Sequence, residues 1–325
     1  MQEESKMQAI PLMRRDITYI QGVQMEEAVE IVRHCSFTDD EMKLTERIVR
    51  NPEEFSQVYS DWIRFFNFER CIQELHANTG REMFYYYGRC AVCNSPQPFV
   101  MDYQSAEETD GRKNLNWRER LVCPNCRCNS RQRFIIQKVF DYYEQGKKVL
   151  MYEHRSDVFR LVQREIQDVT GFEYVGDTYK EKTYGDIMCE DICNLDFQDE
   201  AFDIVVSNDV FEHVIEYDRA FEEAYRVLKP SGRLIFTVPF DGNNVQTQRR
   251  AIQGEQGIVA TEPEWYHSNP VPELPPMLVC QIFGWDILDS LKRAGFTDAY
   301  VKVYYGLKDG YLGYLPMYFE AEKIY

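Results

Sequence analysis

The stretch from Cys189 to Phe240, CEDICNLDFQDEAFDIVVSNDVFEHVIEYDRAFEEAYRVLKPSGRLIFTVPF, decides the fold. It divides into an acidic loop, an apolar strand, a polar loop, an amphipathic helix, a Pro-Ser-Gly turn and a second apolar strand. The pattern predicts strands over 202–207 and 234–238, with a helix over 218–228 between them. Strands that alternate with helices in this way build a parallel α/β sheet, which binds ligands beyond the carboxyl ends of its strands.

The same alternation extends on both sides of this stretch. The apolar run KVLMY, Lys148 to Tyr152, predicts a first strand, and residues 172–176 predict a second. A helix that begins near Phe283 ends at Gly295, and two further strands follow, near 299–305 and 318–322. We therefore predict a Rossmann-like sheet over residues 130–325, mostly parallel and closed by an antiparallel hairpin.

Two cysteine pairs precede the sheet. Cys90 and Cys93 form one C-x-x-C turn, Cys123 and Cys126 form another, and 29 residues separate the pairs. Two such turns supply the four thiolates of a tetrahedral zinc site, which predicts a small structural zinc ribbon over 82–129. Reduced thiol turns and an iron–sulfur site are the alternatives.

A basic segment surrounds the second pair. It could balance the negative charge of a four-thiolate zinc site, or it could bind an anion on a substrate or partner. Its members are Arg112, Lys113, Arg118, Arg120, Arg127, Arg131 and Arg133.

Residues 1–81 are expected to be a helical segment. Thr38 and Glu41 have the spacing of a capping box, and an apolar stripe follows through Val49. A second helix is expected to begin after Pro52. The segment is either an accessory layer or a lid over a substrate.

The order and residue types of the stretch from Cys189 to Phe240 resemble the class I S-adenosylmethionine-dependent methyltransferases, specifically their methyltransferase-11-like branch. With the cysteine pairs, the chain also resembles bacterial methyltransferases that occur with surface-polysaccharide enzymes. The resemblance implies S-adenosylmethionine as the cofactor. It implies that Asp177 contacts the ribose and that Asp191 and Ile192 contact the adenine. It also implies that Asn208 and Asp209 lie near the methyl group.

The loop after the first strand departs from the family pattern. It reads Glu153-His154-Arg155-Ser156-Asp157 and has no glycine, whereas the family has a glycine-rich loop there. Glu153 still stands at the end of the strand, where a carboxylate can bind the amino group of the cofactor.

Two histidines are candidates for the base that accepts a proton from the methyl acceptor. His213 follows the fourth strand, and His267 lies in a long insertion over about 241–282. Loops beyond strand ends often bind substrate. The other substrate-binding candidates, all in this insertion, are Arg249, Arg250, Trp265 and Tyr266.

Composition narrows the choice of acceptor. The net charge of −17 disfavours a nucleic-acid substrate, and no apolar run is long enough to predict a membrane span or a signal peptide. We therefore expect a cytoplasmic enzyme that methylates an oxygen of a sugar, glycan or small hydroxylated metabolite. The alternatives are an RNA or protein methyltransferase that docks through the zinc ribbon, and a binding module that has lost its cofactor.

Overall fold

The computed structural model describes residues 37–78, 80–109, 112–176, 183–255 and 257–325. These residues form two compact units. The first comprises the described residues up to Arg47 together with Gln57–Gln137 and Val303–Pro316. The second comprises Ile48–Ser56, Lys138–Lys302 and Met317–Tyr325.

From residue 149 onward the chain contains the predicted strands and helices of an α/β sheet, with additional short strands between residues 183 and 189 and between residues 248 and 282. In chain order the strands are β1 Thr45–Val49, β2 Met83–Cys90, β3 Ser95–Asp102, β4 Glu107–Thr109, β5 Arg112–Asn114, β6 Val149–Met151, β7 Val169–Glu173, β8 Thr183–Tyr184, β9 Ile187–Cys189, β10 Phe202–Asn208, β11 Leu228–Thr237, β12 Gln248–Arg249, β13 Ala251–Gly254, β14 Gly257–Ala260, β15 Tyr266–His267, β16 Met277–Leu278, β17 Gln281–Ile282, β18 Asp298–Tyr305 and β19 Met317–Lys323. The helices are α1 Pro52–Asp61, α2 Ile63–Asn78, α3 Ser130–Tyr142, α4 Asp157–Glu165, α5 Tyr217–Val227 and α6 Ile287–Arg293.

The central sheet has the strand order β8-β9-β7-β6-β10-β11-β19-β18-β1. Its strands belong to the second unit, which contains β1 from Ile48 onward and β18 up to Lys302. Strands β9, β7, β6, β10 and β11 are parallel, and β19 runs antiparallel to β11. The order reverses direction between β6 and β10, so the ends of these two strands flank the place where such sheets bind ligands. The predicted Rossmann-like fold is confirmed.

The middle of the sheet is apolar because helices cover it. Strand β10 buries the side chains of residues 204–207, and β11 buries those of residues 234–237. Helix α5 buries Ala220, Phe221 and Ala224, which recur at helical spacing on one face.

The predicted Pro-Ser-Gly turn lies inside a strand. Residues 229–232 interrupt the register of β11 with β10, which shifts between the pairs Phe202–Leu228 and Ile204–Arg233. Ser231 takes a positive φ of 65° there. The chain therefore makes a bulge that continues the strand, rather than a turn that starts a new one.

The prediction of a helix after Thr38 was wrong. The capping box does form, because the Thr38 amide donates to the Glu41 carboxylate at 2.7 Å and the Glu41 amide donates to the Thr38 hydroxyl at 3.3 Å. A short turn follows, and residues 45–49 then form β1. A capping box satisfies the amides of a single turn, so it does not require a helix to continue beyond that turn. Residues 1–36 lie outside the described part of the chain.

The helix expected after Pro52 is present as two helices, α1 and α2, which Trp62 separates. In the first unit, the ring of Phe65 in α2 stacks on that of Phe37, with centroids 5.0 Å apart. Strands β2 and β3 of this unit form an antiparallel hairpin that begins at Met83. None of the helices in the described residues is both long and apolar enough to cross a membrane.

Candidate functional site

The carboxyl ends of β6 and β10 bring two of the predicted cofactor residues together. Glu153 follows β6, is largely buried and accepts a hydrogen bond from the side-chain amide of Asn208, the last residue of β10. The backbone of Asp209, the next residue, has a positive φ of 52° and donates to the Thr237 carbonyl at 3.0 Å. A carboxylate and an amide thus meet at the topological switch point of the sheet.

The glycine-free loop after β6 is held by a residue of the neighbouring strand. Glu173, at the end of β7, accepts the amide hydrogens of His154 at 2.8 Å and Arg155 at 2.9 Å. Burial raises the pKa of Glu173, and the two amide hydrogen bonds oppose this shift. The Ser156 hydroxyl then caps α4 by accepting the Phe159 amide at 2.9 Å.

The glycine that permits this close approach lies on β7 rather than in the loop. A Cβ placed on Gly171 would lie 2.6 Å from the Glu153 carbonyl oxygen and 2.3 Å from the Phe159 ring. Any side chain at Gly171 would therefore force the loop away from the strand. A glycine on the neighbouring strand, rather than one in the loop, therefore permits the tight loop.

The acidic side chains expected near the ribose and adenine are only partly described. Asp177 lies outside the described residues, so its predicted ribose contact stays a prediction. Strand β7 ends at Glu173, earlier than the predicted end at residue 176. Asp191 is half-buried and accepts the Cys193 amide at 2.8 Å, and Ile192 beside it is buried.

The two candidate bases lie side by side with a buried carboxylate. His213 ends a short 3₁₀ helix, Phe211–His213, and His267 ends β15. The His267 Nδ1 atom lies 3.2 Å from His213 Nε2 and 3.3 Å from Glu212 Oε1. Glu212 is completely buried, and its Oε1 lies 3.6 Å from His213 Nε2. We call these three residues the Glu–His–His cluster.

The hairpin of β15 and β16 sets the orientation of both imidazoles. It carries His267 directly, and the carbonyl of Leu278 in β16 lies 2.8 Å from His213 Nδ1. A carbonyl can only accept, so Nδ1 of His213 carries the proton and Nε2 presents its lone pair to the cluster. Burial lowers the pKa of His213, and the neighbouring Glu212 opposes this shift.

The arginines of the insertion are bound to nearby backbone. Arg249 donates to the Ile215 carbonyl at 2.7 Å and stacks on Tyr217, with its guanidinium carbon 4.4 Å from the ring centroid. Arg250 donates to the Pro263 carbonyl at 2.5 Å. Both side chains therefore help to hold the insertion together, whatever else they bind.

Trp265 and Tyr266 are both exposed, at 42% and 48%. Trp265 packs edge-on against His267, with ring centroids 5.1 Å apart. An exposed aromatic pair beside a histidine offers a stacking surface next to the Glu–His–His cluster.

The four predicted zinc ligands converge in the first unit. The sulfur atoms of Cys90 and Cys126 lie 3.9 Å apart, and those of Cys93 and Cys123 lie 3.8 Å apart. Tetrahedral coordination with Zn–S bonds of about 2.3 Å places sulfur atoms about 3.8 Å apart. The Asn125 side-chain amide donates to the Cys93 sulfur at 3.1 Å, as expected for a ligand that carries negative charge.

Most of the described basic residues near the second cysteine pair have structural partners. Arg118 and Arg131 pair with Glu119, and Arg120 pairs with Asp102. Arg133 is completely buried, lies 3.8 Å from the Phe99 ring centroid and donates to the Gly310 carbonyl at 2.9 Å. These contacts favour a structural role for the basic segment over anion binding.

Two residues were missed as site candidates. Glu173 looked like an ordinary strand residue, although an acid at the end of an apolar strand is a signal of a polar partner. Glu212 was noted only as the neighbour of His213, because sequence spacing could not show that the insertion brings His267, 54 residues beyond His213, into contact with Glu212.

Residues 157–236 match the family model of the methyltransferase domain. Among curated proteins, the chain is 38% identical over 91 residues to the glycine/sarcosine/dimethylglycine N-methyltransferase of Actinopolyspora halophila. It is 44% identical over 48 residues to the arsenite methyltransferase of Aquipseudomonas alcaligenes. These matches cover 28% and 15% of this chain, and each spans 14% of the relative's own length.

Among solved structures, the chain is similar to an S-adenosylmethionine-dependent methyltransferase from Mesorhizobium loti. The identity is 12%, the TM-score is 0.37, and the match covers 58% of this chain and 97% of that one. The fold assignment rests instead on the strand order and directions of the central sheet.

Proposed function

We propose that this chain, whose residues 157–236 match a methyltransferase domain, transfers the methyl group of S-adenosylmethionine to a hydroxyl group. One observation carries the proposal most directly. The matched residues include β10, and the end of β10 flanks the sheet's switch point, where the Asn208 amide meets the Glu153 carboxylate beyond β6.

The residues at the strand ends fit this cofactor. The Glu153 carboxylate would bind the cationic amino group, Asp191 and Ile192 would contact the adenine, and Asn208 and Asp209 would lie near the methyl group. The loop after β6 has no glycine-rich motif. Glu173 accepts a hydrogen bond from its backbone, and Gly171 leaves room for it to lie close to β7. S-adenosylmethionine supplies an activated methyl group on a sulfonium, and the protein contributes orientation and removal of a proton.

The reaction forms one bond and breaks another. The acceptor oxygen attacks the methyl carbon, the carbon–sulfur bond breaks, and the sulfur keeps the electron pair as the sulfonium charge is lost. The acceptor hydroxyl must lose its proton in the same process. The Glu–His–His cluster is the candidate group for this step, because it gathers two imidazoles around a carboxylate.

The acceptor that suits these surroundings is a sugar, a glycan end or a small hydroxylated metabolite. Trp265 and Tyr266 offer exposed rings for stacking, and the net charge of −17 disfavours a polyanionic acceptor. The curated relatives named above act on glycine derivatives and on arsenite, so they support methyl transfer without selecting one acceptor. Docking of RNA or protein through the ribbon has less support, because most of the described arginines there are paired.

We also propose that Cys90, Cys93, Cys123 and Cys126 hold a structural zinc ion. The spacing of their sulfur atoms matches tetrahedral coordination, and four protein ligands leave no open position for a substrate. The zinc would stabilise the first unit and take no part in methyl transfer.

The test of the activity is formation of S-adenosylhomocysteine from S-adenosylmethionine in the presence of a panel of hydroxylated acceptors. Acceptor-dependent product, lost when the acceptor hydroxyl is already methylated, is the expected result. Product that forms with amines but not with alcohols would indicate N-methylation instead. Cofactor binding without turnover of either alcohols or amines would indicate a non-catalytic binding module.

A further inference from the structure

The Glu–His–His cluster has the geometry of a divalent metal site. Its three ligand atoms, Glu212 Oε1, His213 Nε2 and His267 Nδ1, are separated pairwise by 3.6, 3.3 and 3.2 Å. A metal ion with bonds of about 2.1 Å to nitrogen and oxygen places tetrahedral ligands about 3.4 Å apart. One ion can therefore contact all three atoms with only small side-chain adjustments.

The orientation of His213 supports the same conclusion. Its Nδ1–H donates to the Leu278 carbonyl, which turns the lone pair of Nε2 toward the other two ligand atoms. Metal-ligating histidines commonly donate their second ring nitrogen to a carbonyl or carboxylate, which fixes the tautomer and the ring direction. The hairpin of β15 and β16 carries both the carbonyl and His267, so it organises two of the three ligands.

Burial adds a second argument. The Glu212 side chain has no exposed surface, and that of His213 is only 9% exposed. A cation bound within the cluster would lower the cost of burying the Glu212 carboxylate. His267 is 27% exposed, which leaves one side of the cluster open to solvent or substrate.

We propose that Glu212, His213 and His267 bind a divalent first-row transition ion such as zinc or cobalt. Two histidines and one carboxylate suit these ions better than magnesium or calcium, which prefer oxygen ligands. Three protein ligands leave at least one coordination position for water or an acceptor. The site is separate from the four-cysteine site, which belongs to the other unit.

The functional part of this inference rests on the proposed methyl transfer. An acceptor hydroxyl bound to the ion would have a lowered pKa and would release its proton to solvent. The resulting oxygen anion would then attack the methyl carbon, and the carbon–sulfur bond would break to give S-adenosylhomocysteine. The cluster would thus achieve deprotonation through the ion rather than through an imidazole acting alone.

The experiment is metal titration of the intact chain without cofactor or acceptor. Protein carrying its zinc at the cysteines is treated with a mild chelator and titrated with Co²⁺, followed by visible ligand-field absorption and by calorimetry. We expect one Co²⁺ per chain whose spectrum lacks intense sulfur-to-cobalt charge-transfer bands. The variants Glu212→Gln and His267→Asn should each weaken this binding at least about 100-fold, which exceeds the effect of an outer-shell change.

The matched control is His154→Ala, which removes a half-buried histidine of the same unit that is not in the cluster. It should keep the Co²⁺ equivalent, and circular dichroism should show that all three variants are folded. The absence of a Co²⁺ equivalent in folded wild-type protein would overturn the proposal, as would its retention in both ligand variants. Calorimetry with S-adenosylmethionine on the same protein reports separately on the proposed methyl transfer, so the two failures are distinguishable.

Discussion

Replacing Glu173 by alanine should destabilise the protein and weaken cofactor binding together. The carboxylate accepts the amide hydrogens of His154 and Arg155 at 2.8 and 2.9 Å. Leaving a fully buried donor without an acceptor costs about 1–3 kcal/mol. These two hydrogen bonds are only part-buried, and the relief of carboxylate burial offsets some of the loss, so we expect Glu173→Ala to lower the free energy of unfolding by about 1–3 kcal/mol in total.

Urea denaturation at pH 7 measures this loss. Both amides donate to the same oxygen, Oε1, so Glu173→Gln can keep this acceptor and should lose much less stability than Glu173→Ala. The control is Glu165→Ala, because Glu165 is exposed at the end of α4 and forms an ion pair with the exposed Arg164. This variant should stay within about 0.5 kcal/mol of wild type.

Cofactor binding separates a loop effect from general instability. Calorimetry under conditions where each variant is folded should show weaker S-adenosylmethionine binding for Glu173→Ala and unchanged binding for Glu165→Ala. A Glu173→Ala protein as stable as wild type, or one that binds the cofactor equally well, would show that Glu173 does not organise the loop.

Four further predictions follow from other parts of the molecule. Gly171→Ala should lower the free energy of unfolding by about 1–3 kcal/mol and weaken cofactor binding, because its Cβ would collide with the Glu153 carbonyl. A variant as stable as wild type would show that Gly171 and the loop do not pack this closely. Burial raises the pKa of Glu69 to about 8, above its unfolded value of about 4.3, so its contribution to stability is present at low pH and is lost as pH rises to about 8. Glu69→Gln cannot ionise, so its free energy of unfolding should rise relative to that of wild type by about 1.4 kcal/mol per pH unit between pH 5 and 8. The control substitution is Glu74→Gln, at an exposed position of the same helix. His267→Ala should lower turnover about 10²–10⁴-fold at saturating cofactor with little change in cofactor affinity, and an unchanged rate would remove the cluster from the reaction. Elemental analysis should find zinc bound at the cysteines, and Cys123→Ser should lose that zinc and unfold the first unit. Iron, or no metal, at this site would contradict the proposed zinc ribbon.

The fold followed from the sequence because hydrophobic periodicity and turn residues act locally. The stretch from Cys189 to Phe240 alternates between strand and helix periods, and the structure places β10, α5 and β11 within it. Thr38 shows the limit of this reasoning. Its capping box fixes one turn, but tertiary contacts decided that a strand follows.

The candidate site was less accessible from sequence because it depends on contacts between distant residues. The pairing of Glu153 with Asn208 could be expected, since parallel strands end at one edge of the sheet. The meeting of Glu212 with His267 depends on the course of the insertion, and no local pattern determines that course. The role of Gly171 was hidden for the same reason, because its close neighbours belong to the preceding loop and helix.

The central claim is that the second unit binds S-adenosylmethionine despite its glycine-free loop. Calorimetric titration of the purified protein with S-adenosylmethionine and S-adenosylhomocysteine tests it most directly. The account predicts one site per chain for both ligands, with binding weakened by Asn208→Ala or Gly171→Ala. Folded protein that binds neither ligand would contradict the account and would identify the sheet as a methyltransferase fold that has lost its cofactor.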